Sequence, residues 1–196
     1  WSYNPATPSI GVTSVAITAS FAGISSTQNY SVTVSEFVVL YSRVTTVAEL
    51  LAGGTFIIGF EETPNSGVIV PMRAEGSLST ASAGNIYSGT TAGTTNSATI
   101  DMAVTPRSPE YHVTIAASTV VSGAITIKIG NNFIGNSGTK NNAKLFATDT
   151  VANGTSFTPT LGNTDKFNLD NGHETYNCLQ YNAGDPRFCC YNGTQN

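Results

Sequence analysis

The chain has 196 residues, with 12 acidic and 8 basic residues and a formal net charge of −4. An average soluble domain carries about 25% Asp, Glu, Lys and Arg, whereas this chain carries 10%. The scattered basic residues form no stripe that could neutralise phosphates, which argues against nucleic acid as a partner. No apolar run reaches the roughly 18 residues of a transmembrane helix, so we expect no membrane span.

Hydroxyl side chains supply much of the polarity that charged residues provide in other proteins. Ser and Thr together make up 48 residues. This composition is typical of proteins that work outside the cell. The chain begins at Trp1 rather than Met, so we expect a mature form from which a secretion signal has been removed. The length fits a single all-β domain.

Residues 1–21 are predicted to form an extended N-terminal strand. Pro5 and Pro8 stiffen the start of this segment. An apolar-rich strand follows, with the key positions Ile10, Val12, Val15 and Ile17. The first two are out of phase with the last two, which predicts a bulge near residues 11–14. Two interpretations stay open: the strand pairs within its own sheet, or it completes the sheet of a neighbouring subunit.

Residues 22–196 are predicted to form the main domain. Alternating apolar and polar residues predict strands at 30–41, 100–104, 111–117 and 125–129. Residues 56–60 and 68–72 predict a hairpin, because the segment between them contains Pro, Asn and Gly.

A single short helix is expected near residues 46–52. Thr46 and Glu49 have the spacing of a capping box, and Gly53 ends the helical pattern. The predicted fold is therefore all-β: an antiparallel β-sandwich of jelly-roll or pilin/immunoglobulin-like type, with one short helix and an extended N-terminal strand.

The C-terminal region from about residue 158 shows little periodicity and is predicted to be loop-rich. It contains the three cysteines, Cys178, Cys189 and Cys190. Adjacent cysteines rarely bridge each other, since a disulfide needs Cα atoms about 5.5 Å apart. We therefore expect Cys178 to pair with Cys189 or Cys190, which leaves the third cysteine free or paired with another chain.

The same region has an oxygen-rich segment around a Gly turn. Asn168, Asp170 and Glu174 are weak calcium candidates, because calcium prefers oxygen ligands. The spacing differs from that of a known calcium loop, and a surface turn rich in Asn and Asp is the favoured interpretation. No zinc pattern is present. The sequence therefore predicts no metal and no cofactor.

Three N-glycosylation sequons begin at Asn29, Asn153 and Asn192. Chance occurrence in a chain rich in Asn and Thr is the alternative explanation. N-linked glycans are expected only if the protein is secreted by an organism that attaches them.

Catalytic motifs are missing from the sequence, which contains no nucleophile elbow, zinc-protease helix or phosphate-binding loop. Glu36 lies in a predicted strand and is a possible inward carboxylate, but a position at the sandwich rim or an ion pair with Arg43 or Arg73 is the usual role of such a residue. We therefore predict no catalytic residues and no enzyme activity.

Residues 6–21 resemble a free N-terminal strand, and residues 30–157 form a charge-poor β body with hydroxyl-rich loops and sequons. In this combination the chain resembles subunits of extracellular filaments joined by donor-strand complementation, especially archaeal threads and bundling pili. The resemblance implies a head-to-tail polymer of identical subunits at the cell surface, with Ile10, Val12, Val15 and Ile17 as the donor strand.

Other classes remain open. A secreted carbohydrate-binding or adhesin module would share the β-sandwich and would use C-terminal loops that contain Tyr176, Tyr181 and Tyr191. A jelly-roll capsid protein has a similar length, although the chain lacks a basic arm. A small secreted hydrolase is the remaining alternative.

Overall fold

The computed structural model describes residues 11–34, 41–103, 109–136, 138, 140–162 and 166–192. The chain divides into two compact units, residues 1–39 and residues 40–196. The boundary differs from the one expected after residue 21, because the N-terminal strand pairs with the strand that follows it.

The N-terminal unit contains an antiparallel hairpin. Strands β1 (Gly11–Phe21) and β2 (Ile24–Val34) have 11 residues each. Their register runs without a shift from Gly11 opposite Val34 to Phe21 opposite Ile24. The bulge predicted near residues 11–14 is therefore absent from the described hairpin, and the strand predicted at residues 30–41 begins earlier, at Ile24.

A two-residue turn explains this early start. Ala22 and Gly23 connect the strands and have φ values of 48° and 81°. Positive φ at both central residues is what a type I′ hairpin turn requires, and this turn matches the twist of the flanking strands. Glycine adopts such a φ readily, whereas Ala22 does so at a cost.

The second unit, which we call the body, begins with the predicted helix. Helix α1 spans Val47–Ala52 and has the predicted capping box: the Thr46 hydroxyl accepts a hydrogen bond from the Glu49 backbone N–H, and the Glu49 carboxylate accepts one from the Thr46 backbone N–H. Gly53 is the C-cap, and its N–H donates to the Leu50 carbonyl.

Strands make up most of the rest of the body. In chain order they are β3 (Gly54–Ile57), β4 (Gly59–Phe60), β5 (Val68–Gly76), β6 (Ile86–Ser88), β7 (Ile100–Asp101), β8 (His112–Ala117), β9 (Ile125–Ile129), β10 (Asn132–Asn136), β11 (Ala143–Phe146), β12 (Ser156–Leu161), β13 (Phe167–Asp170), β14 (Cys178–Asn182) and β15 (Arg187–Tyr191).

The described body strands form one extended antiparallel sheet in the order β11-β10-β9-β12-β13-β14-β15-β6-β5-β4. In addition, β8 pairs with β3 and β9, and β7 pairs with β5. The strand predicted at 56–60 is divided at Ile58, because β3 pairs with β8 whereas β4 pairs with β5. The resulting fold is all-β and sandwich-like, as predicted.

Apolar side chains from many strands form the core of the body. Ile125 and Ile127 of β9, Ile134 of β10 and Phe157 of β12 are completely buried. The C-terminal strands contribute Leu169, Leu179, Tyr181, Phe188 and Cys190 to the same cluster. The region predicted to be loop-rich therefore also contains strands, and these strands supply part of the core. No helix among the described residues has both the length and the apolar character needed to cross a membrane.

Candidate functional site

The predicted donor strand is already paired in this structure. Val12, Val15 and Ile17 lie in β1 opposite Thr33, Tyr30 and Gln28 of β2, and Ile10 lies outside the described residues. The N-terminal element is therefore a two-stranded ribbon rather than a single strand.

The register determines which side chains meet at the tip of this ribbon. Phe21 lies directly opposite Ile24, so these two apolar side chains share one face. The hydroxyls of Ser20 and Ser25 are hydrogen-bonded at 2.7 Å on the other face.

The two apolar side chains at the ribbon tip are open to solvent. Phe21 is 87% exposed and Ile24 is 77% exposed. Full burial of one such side chain is worth about 1.5–3 kcal/mol. An isolated two-stranded hairpin is also marginally stable in water. The ribbon would therefore gain stability from a partner that covers this tip.

The strands of the ribbon lack the usual protection against pairing with other chains. Edge strands are normally guarded by charged residues, Pro or bulges. Residues 11–34 contain no charged residue and no Pro, the first charged residue of the chain is Glu36, and the pairing has no bulge. We refer to residues 11–34 as the uncharged ribbon.

The three cysteines are free thiols rather than the predicted disulfide. Cys178 lies opposite Tyr191, whereas Cys189 lies opposite Gln180 and Cys190 opposite Leu179. Cys178 and Cys190 therefore lie on opposite faces of the sheet. Cys178 and Cys189 are diagonal neighbours, typically about 7–8 Å apart, whereas disulfides need Cα atoms within about 4.4–6.8 Å.

Burial keeps these thiols protonated. It raises the pKa of the Cys189 thiol to about 11, and it also raises the pKa values of Cys178 and Cys190. The Cys189 Sγ donates to Asn85 Oδ1 at 3.3 Å, and the Cys190 Sγ contacts the Gly135 carbonyl oxygen at 3.8 Å. Cys189 and Cys190 are therefore packing residues rather than nucleophiles.

The calcium candidates do not form a recognisable ion site. Asp170 Oδ1 accepts from the Gly172 N–H at 2.7 Å, and its Oδ2 accepts from Asn177 Nδ2 at 3.3 Å. Asn168 and Glu174 are exposed. No group of three or more His, Cys, Asp or Glu within the described ranges could hold a metal. The structure therefore supports the alternative interpretation, a turn stabilised by its own Asx residues.

The sequons differ in accessibility. Asn29 and Asn192 are exposed, whereas Asn153 is half-buried. Thr155, the hydroxyl residue of the second sequon, is completely buried, and its Oγ1 donates to Asp149 Oδ1 at 2.7 Å. This internal hydrogen bond accounts for a threonine at position 155 without any glycan on Asn153. Asn29 and Asn192 therefore remain the better candidates for N-glycosylation.

Two of the tyrosines assigned to ligand-binding loops are core residues. Tyr181 and Tyr191 are buried, and Tyr176 packs against the core cluster. Glu36 lies outside the described residues. The aromatic loop surface expected for a carbohydrate-binding module is therefore not formed by these residues.

A polar cavity that sequence analysis missed lies on the outer face of β12, β13 and β14. It has a volume of about 610 Å³. Each strand contributes two alternate side chains, namely Thr158, Thr160, Asn168, Asp170, Cys178 and Gln180. Apolar Leu169 and Leu179 alternate with them and face the core. This alternation is visible in the sequence, but only the strand register brings the polar positions together.

No protein-family model, curated protein or solved structure matches this chain. Functional inference therefore depends on the residues of the chain and their geometry.

Proposed function

We propose that this protein is a structural subunit of an extracellular filament or surface assembly, and that it polymerises by adding its N-terminal β1–β2 element to a neighbouring subunit. The observation that carries the proposal is the uncharged ribbon, which has two 11-residue strands and exposed apolar residues at its tip. An unprotected strand of this length is well suited to β-strand addition, in which main-chain hydrogen bonds supply affinity.

The neighbouring subunit must offer an open sheet edge. In the described body, β3 pairs only with β8, and β4 and β7 have two residues each. The outer edge of β11 is already covered by backbone hydrogen bonds. The N–H of Gly84 donates to the Ala143 carbonyl, the N–H of Ala143 donates to the Gly84 carbonyl, and the Leu145 N–H donates to the Ser79 carbonyl. We therefore take β3, Gly54–Ile57, as the acceptor.

The proposed assembly is a polymer of identical subunits outside the cell, with N-linked glycans at Asn29 or Asn192 if the source organism attaches them. The low charge of the chain favours this setting, because backbone pairing and apolar burial are insensitive to ionic screening. We expect filaments to persist at about 1 M salt, where the Debye length is only about 3 Å.

The test compares two pairs of matched substitutions in the full chain. Phe21→Asp with Ile24→Asp places two carboxylates at the ribbon tip, where burial without a partner costs several kcal/mol. The control is Val120→Asp with Leu161→Asp, which alters two exposed apolar residues of the body that are 47% and 45% accessible.

Light scattering coupled to size-exclusion chromatography and negative-stain microscopy measure the outcome. We expect filaments from the wild type and from the control, and monomers with unchanged thermal unfolding of the body from the tip variant. Filaments from the tip variant, or a wild type that is monomeric at every concentration, would overturn the proposal.

A further inference from the structure

Two lysines and two phenylalanines lie together on the outer face of β9, β10 and β11. Lys128 of β9 lies directly opposite Phe133 of β10, and Phe133 lies directly opposite Phe146 of β11. Lys144 comes two residues before Phe146 in the same strand, so its side chain is on the same face. We refer to these four residues as the Lys–Phe face.

The Lys–Phe face is turned away from the core of the body. The residues that alternate with it along the same strands belong to the core cluster or pack against it, namely Ile127, Ile134 and Leu145. All four residues of the Lys–Phe face are half-buried. The outer side of these strands therefore presents two cations and two aromatic rings.

Each lysine lies over a ring of the face. The Lys128 Nζ is 4.3 Å from the centroid of the Phe133 ring, and the Lys144 Nζ is 5.7 Å from the centroid of the Phe146 ring. The face of an aromatic ring attracts a cation within about 6 Å. The rings therefore hold both ammonium groups in place, but they supply no negative charge that would neutralise them.

The ion pairs among the described residues all use arginine: Arg43 with Glu61, Arg73 with Glu75 and Arg187 with Asp185. In that part of the chain, neither lysine of the Lys–Phe face has a carboxylate oxygen within 4.0 Å. The acid nearest to Phe146 along the chain is Asp149, which accepts hydrogen bonds from the hydroxyls of Ser118, Thr155 and Ser156. An anionic partner would therefore find two ammonium groups without a competing carboxylate.

Two threonines extend the face toward the edge of the sheet. Thr114 of β8 lies opposite Lys128, and Thr55 of β3 lies opposite Thr114. Both threonines are exposed, and a hydroxyl can both donate and accept hydrogen bonds. Since neighbouring strands are about 4.8 Å apart, the row from Thr55 to Phe146 spans roughly 19 Å across five strands. An open row of this length suits an extended polymer better than a compact small molecule.

The spacing of the two lysines indicates a polymer of low charge density. They lie two strands apart, which places their Cα atoms at least about 10 Å from each other. Double-stranded DNA carries one negative charge per about 1.7 Å, and anionic lipids are usually recognised by clusters of about 4–8 Lys or Arg. An acidic polysaccharide carries separated carboxylates among many hydroxyls, which matches separated cations beside threonine hydroxyls.

We propose that the Lys–Phe face binds an acidic polysaccharide, with sugar carboxylates on Lys128 and Lys144 and sugar hydroxyls on Thr114 and Thr55. This inference goes beyond assembly through the uncharged ribbon, because every residue of the face belongs to the body. Assembly uses the backbone edge of β3, whereas the polysaccharide contacts side chains on the face of the sheet. Failure of one proposal therefore leaves the other intact.

The test measures binding of the full chain to immobilised polygalacturonate by biolayer interferometry at low ionic strength. Fully methyl-esterified polygalacturonate has the same sugar chain without the charge, whereas polyglutamate and single-stranded DNA present anions on other polymers. We expect the tightest binding to polygalacturonate itself. This binding should weaken as salt is added, because salt screens the attraction between exposed charges.

Three variants locate the binding surface. Lys128→Gln removes a lysine of the Lys–Phe face. The matched control is Lys166→Gln, because the Lys166 Nζ also lies over a ring, 4.6 Å from the centroid of Phe60 in β4 at the other end of the strand order. Loss of one exposed ion pair should weaken binding by Lys128→Gln about two- to fivefold, whereas Lys166→Gln should bind like the wild type. Lys128→Arg keeps the charge and should retain binding.

Thermal unfolding followed by circular dichroism checks that the variants are folded as the wild type is. The proposal is overturned if the wild type does not bind polygalacturonate at low ionic strength, or if it binds the methyl-esterified polymer as tightly. Equal binding by Lys128→Gln and Lys166→Gln, or tighter binding of polyglutamate or DNA than of polygalacturonate, would overturn it as well.

Discussion

The tip of the uncharged ribbon and the core strands of the body are both antiparallel β-structure, yet their aromatic side chains have opposite environments. Phe21 at the ribbon tip is 87% exposed, whereas Phe157 in β12 is completely buried. Alternation of apolar and polar residues is similar in both. Such a pattern therefore specifies a strand with two unlike faces. Whether the apolar face is covered depends on the other elements of the fold or on a partner.

The two regions also differ in their content of charged residues. The body uses its few charged residues to stabilise turns and strand ends. Glu61 is buried and accepts hydrogen bonds from Arg43 and from the backbone N–H groups of Asn65 and Gly67. The ribbon has no equivalent, so its register depends on backbone pairing and on the turn at Ala22 and Gly23.

The largest expected difference in the free energy of unfolding is between two variants that each lose one aromatic ring, one in the body and one in the ribbon. Phe157→Ala leaves a cavity in the core and should lower the free energy of unfolding by about 3–5 kcal/mol. Phe21→Ala should change it by less than about 0.5 kcal/mol in the monomer, because the ring is exposed. Urea denaturation of both variants at a concentration where the protein is monomeric checks this; equal losses would contradict the distinction between the regions.

A smaller change in the free energy of unfolding is expected when the buried carboxylate of Glu61 is replaced by an amide. Burial acts to raise the pKa of Glu61, but the hydrogen bonds from Arg43, Gly67 and Asn65 outweigh it and hold the pKa below its ordinary value. Glu61→Gln weakens these bonds and should cost about 1–3 kcal/mol at neutral pH.

The pH dependence follows from the direction of that shift. Since the pKa is lower in the folded state, the stabilisation by Glu61 is present above the unfolded value of about 4.3 and is lost as the pH falls through the folded value. The stability difference between wild type and Glu61→Gln should therefore shrink in acid, as measured by urea denaturation from pH 7 downward. A difference that grows in acid would contradict the assignment.

The smallest expected effect concerns the turn of the ribbon. Asn tolerates a positive φ better than Ala, so Ala22→Asn should stabilise the hairpin by up to about 1 kcal/mol, whereas Ala22→Val should destabilise it. Hydrogen exchange of the ribbon amides should slow by up to about fivefold in the Asn variant, with thermal unfolding of the body unchanged. Faster exchange in Ala22→Asn than in Ala22→Val would contradict the turn conformation.

Local signals predicted much of the fold. The capping box of α1 and the strand at Ile125–Ile129 are as predicted, since residues close in sequence determine them. The turn at Ala22-Gly23 was missed because Ala is uncommon at a positive φ. Strands β12 to β15 were missed because Asn, Asp and Gly between them obscured the short alternating segments.

The candidate sites depended more on distant pairing than on local sequence. Clustering of three cysteines predicted a disulfide, but the β14–β15 register keeps Cys178 away from both others. The polar cavity requires the registers of β12 with β13 and of β13 with β14, which a single sequence does not specify. The ribbon was predicted as a strand, and its pairing with β2 became visible only in the structure.

The most direct test of the central claim is hydrogen–deuterium exchange of the full chain, compared between dilute monomer and concentrated, assembled protein. The account predicts that amides of residues 11–34 and of the acceptor strand Gly54–Ile57 become strongly protected on assembly, while core strands such as β9 are protected equally in both states. Unchanged exchange of residues 11–34 in assembled protein would contradict the claim that the uncharged ribbon joins the subunits.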